Sequence, residues 1–523
     1  VNRLSTRRIV RSLGLPLLAA ALLLSACGGA ASPAATQPAA GTVAPAASMT
    51  GGTLNVAAKA IVNVDPAQIS ADSEILVANA VYDYLVDVDA NNKIQPRLAT
   101  DWTVSDDGLT YTFNLTHDAS FHDGTPLTAK DVVYTFNRLR DPDSGFATVD
   151  LYSNISDIQA EGDYSVVFTL KTTNPFFLFD LSDNHALVVK DGTTDFTDFN
   201  GSGPFTVVNY TPEDRIEMDA SSGYFQSGSP KLAHLNIVFF QDTSAAVDAL
   251  RSGDVDTVFG LSAPQYKSLQ GEAGVQTYLT STNAFPVVRL RADQPPGDDP
   301  RVIQAMRMAI DRQAIFDLVQ QGLGAMGRDT PIGPMYQEFY AEDIPLPKHD
   351  VAGAKKLLAD AGYPNGLDLT LRLPDAQNFP DLAAVLKSQL AEAGFNIEVS
   401  VEPENVYYGN NGWLEAPFGI TGWGSRPYPQ FYMDVMLTCG AKWNESHFCD
   451  QEFDKQAEIA GTSLDPAAQA AAYHEIQKIL IERGPIIVPF FFPQLAATTD
   501  KVQDFNLKPF FGRTDFRAVT VSQ

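Results

Sequence analysis

Between residues 350 and 401 the chain twice places a helix before a strand, and that repeat constrains the architecture more than any other feature. Asp350 stands where it caps a helix through Ala354, Leu357, Leu358 and Ala361, closed by Gly362 and Pro364. An alternating strand follows over 367–373. Leu382, Val385, Leu386 and Leu390 then form a second helix ending at Gly394, and Ile397, Val399 and Val401 put one face of a second strand on a core. Successive units of this kind build an α/β layer, whose ligand crevices lie at the strand ends. The pattern extends upstream. Tyr111, Phe113 and Leu115 share a face of a strand over Thr110–Leu115, with Asp107-Gly108 turning before it and Asp123-Gly124 turning later. Pro300, behind Asp299, opens a helix through Val302, Ala305, Met306, Ala309 and Ile310 that the spacing carries as far as Gly322.

A chain of 523 residues has length for two to four domains and a sizeable core, so small disulfide scaffolds are excluded. With 45% apolar and 19% charged residues it is globular rather than disordered. The net charge of -27 repels phosphate backbones and anionic lipid, which argues against nucleic acid or a broad membrane face and leaves a small solute open.

Residues 1–26 read as a signal peptide. Arg3, Arg7, Arg8 and Arg11 precede the run LGLPLLAAALLL, which is too short for a mature membrane span. The run ends in Leu24-Ser25-Ala26-Cys27, which resembles the lipobox of bacterial lipoproteins, with Cys27 as the lipidated residue; the other reading is an ordinary secretory peptide with a chance cysteine. Residues 27–50 then hold the anchor and a Pro/Ala/Thr-rich linker that cannot order itself by burial. Cys439 and Cys449 remain, and outside the cytoplasm such a pair favours a disulfide over two free thiols. A metal site there has only His447 to add, so no metal and no cofactor are expected.

Several stretches together resemble one family. Residues 101–108 (DWTVSDDG), Tyr111-Thr112-Phe113, 121–133 (FHDGTPLTAKDVV), 201–205 (GSGPF), 250–256 (LRSGDVD), 299–312 and 354–364 (AKKLLADAGYP) are similar, in order, to the signature of family 5 extracellular solute-binding proteins, the peptide- and nickel-type receptors of ABC importers. The resemblance implies a two-lobed α/β clamp like the periplasmic binding proteins (type II, cluster C) with an extra subdomain. It divides the chain into lobe I (51–78, 201–282 and 493–523), the subdomain (79–200) and lobe II (283–492), with crossings near Asn283 and Pro493 that act as hinges.

The informative departure is in 422–429 (GWGSRPYP). In many peptide-binding members a Trp is followed three positions later by an Asp that holds the ligand's α-ammonium; after Trp423 that position is Arg426. A guanidinium repels an ammonium and forks a carboxylate, so Arg426 is expected to face the cleft and select an anionic or neutral polar group. The competing reading is an exposed or internally paired Arg in a changed loop. Trp413, Trp423 and Trp443 crowd the same region with Tyr407, Tyr408, Phe418, Tyr428, Phe431 and Tyr432, as pocket walls or as core. The residues expected to bind ligand are therefore Trp423, Ser425, Arg426, Tyr428 and, at the crossing, Asn283.

Catalytic motifs fail on their own terms. His474-Glu475 lacks the second His of a zinc-protease helix, because position 478 is Lys. Gly322, Gly324 and Gly327 match a dinucleotide loop but follow a helix instead of a strand. His117, Asp118, His122 and Asp123 could suggest a metal cluster, but the family resemblance makes His122-Asp123 part of a hairpin instead. The expectation is a non-catalytic, monomeric, lipid-tethered receptor on the outer face of the cell membrane or in the periplasm. It takes an oligopeptide or similar solute and delivers it to an ABC permease and ATPase. The alternative is a surface-anchored hydrolase or modifying enzyme, and within the receptors an oligosaccharide, anionic solute or metal chelate is the rival cargo.

Overall fold

The computed structural model describes residues 51–409 and 412–522; the leader, Cys27 and the linker through residue 50 lie outside the described residues. Strand Thr53–Ala58 runs parallel to His234–Phe239 on one side and Thr257–Phe259 on the other. Around it a seven-stranded sheet runs in the order Phe205–Thr211, Arg215–Ala220, His234–Phe239, Thr53–Ala58, Thr257–Phe259, Pro493–Thr499 and Val275–Ser281. The helix Thr243–Ser252 connects two of these strands. Asp242 caps its start and Gly253, at φ +81°, its end. This sheet is the first lobe.

The αβ repeat builds the second lobe. Strands Leu367–Pro374 and Phe395–Glu402 pair in parallel over their full length, with helix Phe379–Glu392 between them. Phe418–Trp423, Phe285–Leu290 and Ile486–Ile487 complete a five-stranded sheet. Helix Val351–Asp360 begins where expected, with Asp350 accepting the Gly353 N–H at 2.8 Å. The helix expected from Pro300 to Gly322 is instead two, Pro300–Ala309 and Arg312–Val319. Apolar spacing continues across the break, but the Asp311 carboxylate accepts the Ala314 N–H at 3.0 Å and starts a new helix there.

Strands Ala99–Val104, Thr110–Leu115, Ser165–Leu170 and Ile155–Ala160 form an antiparallel sheet backed by helix Ala129–Leu139, which is the extra subdomain. One apolar cluster runs from Leu54 and Leu235 of the first lobe through Val81 to Phe113, Phe136 and Phe168 of the subdomain. The second lobe has its own clusters, around Leu371 and Leu386 on one face of its sheet and around Phe285, Tyr432 and Ile476 on the other. First lobe and subdomain thus share a core that the second lobe does not enter. Buried charges reinforce the join: Asp87 binds Arg97 at 3.0 Å and Lys508 at 3.1 Å and also pairs with Arg513, tying the C-terminal segment to the subdomain. Burial alone would raise the Asp87 carboxyl, but these cations hold it well below its ordinary range.

Candidate functional site: the cavity between the lobes

The chain passes between the lobes twice, and the two passages are bonded to each other. The Phe492 N–H donates to the Ala284 carbonyl at 2.7 Å and the Thr282 hydroxyl to the Phe492 carbonyl at 2.6 Å. Beside this double crossing lies a cavity of about 940 Å³, walled by the first lobe through Ser70, Asp72 and Thr243 and by the second through Gln320, Asp381 and Arg426. Its volume is in the range of sites that enclose small ligands.

On the first-lobe side a buried carboxylate shapes the wall. Glu74 accepts the backbone N–H groups of Val62, Asn63, Ser70 and Ala71 at 2.8–3.1 Å. Burial pushes its carboxyl up, yet these four donors hold it below its ordinary value. The loop is thereby folded onto the start of helix Asp72–Val81, which presents Asp72 to the cavity. Burial raises Asp72, and the Gly512 N–H opposes the shift.

On the second-lobe side, strand Phe418–Trp423 runs into the loop at 424–428, whose backbone is fixed from beneath. Tyr432 donates to the Gly424 carbonyl at 2.7 Å, Tyr336 to the Arg426 carbonyl at 2.7 Å, and the Asn283 N–H to the Ser425 hydroxyl at 3.0 Å. Ser425 and Arg426 line the cavity. Arg426 is exposed, its guanidinium 4.5 Å from the Phe431 ring centre, and among the described residues it has no carboxylate within ion-pair distance. Its Nη1 donates to the Ser425 carbonyl at 3.2 Å.

The other three residues expected at the ligand engage protein partners. Trp423 is 9% exposed and donates Nε1–H to Glu445 at 2.9 Å. Asn283 is fully buried, its amide bonded to the Pro331 carbonyl at 2.6 Å and the Gly333 N–H at 2.8 Å. Tyr428 turns to the subdomain, donating to Asp180 at 2.5 Å and stacking on Phe176 with centroids 4.7 Å apart. Cys439 and Cys449 are joined in a disulfide. His122 bonds the Gly203 carbonyl, and Asp123 is held by Lys190, Asn200 and Thr125. The glycines at 322–327 serve close packing: a side chain at Gly324 or Gly327 would meet the carbonyls of Phe491 or Val488. Sequence reasoning missed Asp72, Gln320, Asn378 and Asp381, which line the cavity from separate segments.

A model of the bacterial extracellular solute-binding proteins, family 5 (middle region), matches residues 93–444. The chain belongs to this family. Its members are solute-binding proteins rather than enzymes, and they act outside the cytoplasm. Among the described residues no helix is long and apolar enough to cross a membrane. Probable di/tripeptide-binding protein 5 of Pseudomonas aeruginosa is 29% identical over 487 residues, 85% of this chain and 91% of that protein. The glutathione-binding protein GsiB of Pectobacterium atrosepticum is 25% identical over 476 residues, 86% and 90% of the two chains. HbpA2 from Haemophilus parasuis shares the two-lobed fold with a TM-score of 0.82 at 23% identity, over 90% of this chain and all of that one.

Proposed function

We propose that the chain is a lipid-tethered, monomeric receptor that closes on a short peptide between its lobes. It passes the peptide unchanged to an ABC permease and its ATPase. The observation that carries this reading is Arg426, a cation in the cavity wall with no carboxylate within ion-pair distance among the described residues, although it lies near enough to Asp183 to favour that carboxylate's charged form, while Asp72 and Asp381 line the same cavity. A zwitterion fits such a wall: its carboxylate pairs with the Arg426 fork and its ammonium with a carboxylate. The names of the relatives, which bind di- and tripeptides and glutathione, support the same ligand class. A ligand touching both lobes favours the closed arrangement by its differential affinity, with the paired crossings at 282–284 and 492–493 as the hinge.

Calorimetric titration of residues 28–523 with Ala-Phe, with glutathione and with the C-terminal amide of Ala-Phe tests the assignment. A charge-assisted hydrogen bond contributes about 1.5–3 kcal/mol, so the amide is expected to bind roughly 10- to 150-fold more weakly than the free acid. Arg426→Ala should erase that difference. The peptide should also be recovered intact after incubation. Equal binding of acid and amide by the unmodified protein removes Arg426 from the site, and hydrolysis of the peptide removes the receptor reading.

A further inference from the structure

Asp72 borders two spaces at once. One is the cavity between the lobes; the other is a smaller chamber of about 440 Å³ in the first lobe, and the two share Asp72, Thr243 and Gly260 in their walls. The chamber lies at the carboxyl ends of the parallel strands Thr53–Ala58, His234–Phe239 and Thr257–Phe259, where an α/β layer leaves its crevices. Ala57, Ala246 and Val258, each no more than 4% exposed, and the half-buried Phe240 give it an apolar wall, while the exposed Lys59 and Asp242 border it with opposite charges. Asp72 itself is open to solvent and has no cation within ion-pair distance among the described residues. The surrounding protein raises its carboxyl, and only the Gly512 N–H acts against that shift. Arg426 stands in the complementary state on the other lobe, a guanidinium in the cavity wall without an ion pair. Asp381 lines the cavity too, but it belongs to the same lobe as Arg426 and does not border the chamber.

The α-ammonium and the side chain of a peptide's first residue leave the same carbon. A free carboxylate in the wall of an apolar chamber therefore matches an amino-terminal residue with an apolar side chain, which gains an ion pair and apolar burial together. We propose that Asp72 and this chamber form the subsite for the ligand's first residue, the carboxylate taking its ammonium and the chamber its side chain. The peptide then lies across the cavity, with its amino end on the first lobe and its carboxylate on Arg426 of the second. This deepens the reading of the cavity as a peptide site and rests on it. It also supplies a cause for closure: a zwitterion held at its two ends by opposite lobes makes both ion pairs only when the lobes are together. A ligand held by Arg426 and Asp381 would pair its charges with one lobe alone and give the other no reason to move.

Calorimetric titration of residues 28–523 with Leu-Phe, Gly-Phe and N-acetyl-Leu-Phe tests both halves of the subsite. The unmodified protein is expected to bind Leu-Phe about tenfold or more tighter than either of the others, which lack the apolar side chain or the ammonium. Asp72→Asn should weaken Leu-Phe and leave N-acetyl-Leu-Phe nearly unchanged, so that the preference for the free amine disappears. Asp381→Asn should keep that preference. Ala60→Leu, which adds bulk to the chamber wall, should erase the preference for Leu-Phe over Gly-Phe. Thermal unfolding without ligand reads the competing role: if Asp72→Asn unfolds earlier while the free-amine preference persists, Asp72 serves only its helix and the proposal is overturned. Loss of the preference in Asp381→Asn instead puts the amino end on the second lobe and overturns it as well. Equal affinity of the unmodified protein for Leu-Phe and Gly-Phe overturns the role of the chamber. Failure to bind any of the three overturns the peptide reading itself, whereas binding without a free-amine preference overturns this subsite alone.

Discussion

The loop at 424–428 has two faces, and they are built to opposite rules. On the cavity face Arg426 has no ion pair among the described residues, and neither has Asp72 on the first-lobe wall. On the subdomain face the loop's own polar atoms are matched: the Pro427 carbonyl accepts from Asn92, whose Oδ1 stays without a partner among the described residues, and the Tyr428 hydroxyl donates to Asp180. Phe176 of the subdomain even joins the apolar cluster of the second lobe, against Tyr428, Phe339 and Tyr473. A surface that must accept a solute keeps hydrogen-bonding capacity open, whereas a surface that seats another part of the same chain uses its capacity up. Effects on the first face should therefore appear in affinity and effects on the second in stability.

The contrast depends on a rigid platform beneath both faces, and the strongest way to break it is to remove that platform. Glu445 and Arg289 are fully buried; Oε2 of Glu445 accepts from Arg289 and from the Thr421 hydroxyl at 2.7 Å, and Oε1 from Trp423 at 2.9 Å. Glu445→Ala leaves a buried guanidinium without its counter-charge, which costs about 3–5 kcal/mol, and it frees the strand that feeds the loop. Urea unfolding should show that loss together with weakened peptide binding. The pair of changes Arg289→Met and Glu445→Met should recover most of the stability, since apolar side chains of similar volume often replace a buried ion pair without loss. A loss below about 1 kcal/mol for Glu445→Ala would place the support of the loop elsewhere.

How much of this was legible in the chain depends on how local the signal is. The αβ repeat of the second lobe was readable because periodicity, Asp350 and the closing glycines all lie within one window. The break before Asp311 was not, because apolar spacing alone cannot tell one long helix from two short ones when a side-chain cap competes with the next turn. In the site, Ser425 and Arg426 stood out against the family's pattern at one loop. Asp72, Gln320, Asn378 and Asp381 did not: they come from three distant segments, and Asp72, Asn378 and Asp381 sit at helix starts, where such residues are ordinary in sequence. Only the double crossing brings them to one cavity.

The subdomain seat carries a pH signature of its own. Burial pushes Asp180 up to about 7; the Tyr428 hydroxyl and the Asn174 amide work against that shift, and the nearby Asp183 and Asp434 carboxylates add to it. Burial also raises Asp434 to about 6, opposed by the Gln430 amide. His185 is held above its ordinary value by Asp183, despite burial acting the other way. For each of these groups the folded state binds the proton more tightly than the unfolded chain. Their stabilisation is therefore full at low pH, for the carboxyls starts to fall above the ordinary value of 3.8 and is gone once pH has risen past about 6 for Asp434 and about 7 for Asp180, and for His185 falls above its ordinary 6.5, at no more than about 1.4 kcal/mol per pH unit for each group. Carboxylates held low, such as Asp87, are ionised throughout this window and contribute no slope. Urea unfolding between pH 5 and 8 should show stability falling, and Asp180→Asn should flatten the curve by one group's share. An unchanged slope in that variant would mean that Asp180 is ionised in the seat, and the contrast between the two faces would lose its electrostatic part.

The smallest effect tests the other half of the comparison. Lys267, on the first-lobe helix Ala263–Leu269, donates to the Gln321 carbonyl of the second lobe at 2.7 Å, beside the cavity. The lysine is exposed, so its contact contributes about 0–1 kcal/mol, as surface interactions of long side chains do. Lys267→Ala should weaken peptide binding by no more than about fivefold, with the change in the dissociation rate, and should leave the urea midpoint of the unliganded protein nearly unmoved. Tyr428→Phe is the mirror case. It removes the hydroxyl that meets Asp180 and should lower the unfolding free energy by about 1–3 kcal/mol, with the urea midpoint falling accordingly, while changing affinity little. If the two variants exchange these signatures, the subdomain seat opens and closes with the ligand and the lobe contact is permanent, which is the reverse of the division of labour drawn from the matched and unmatched atoms.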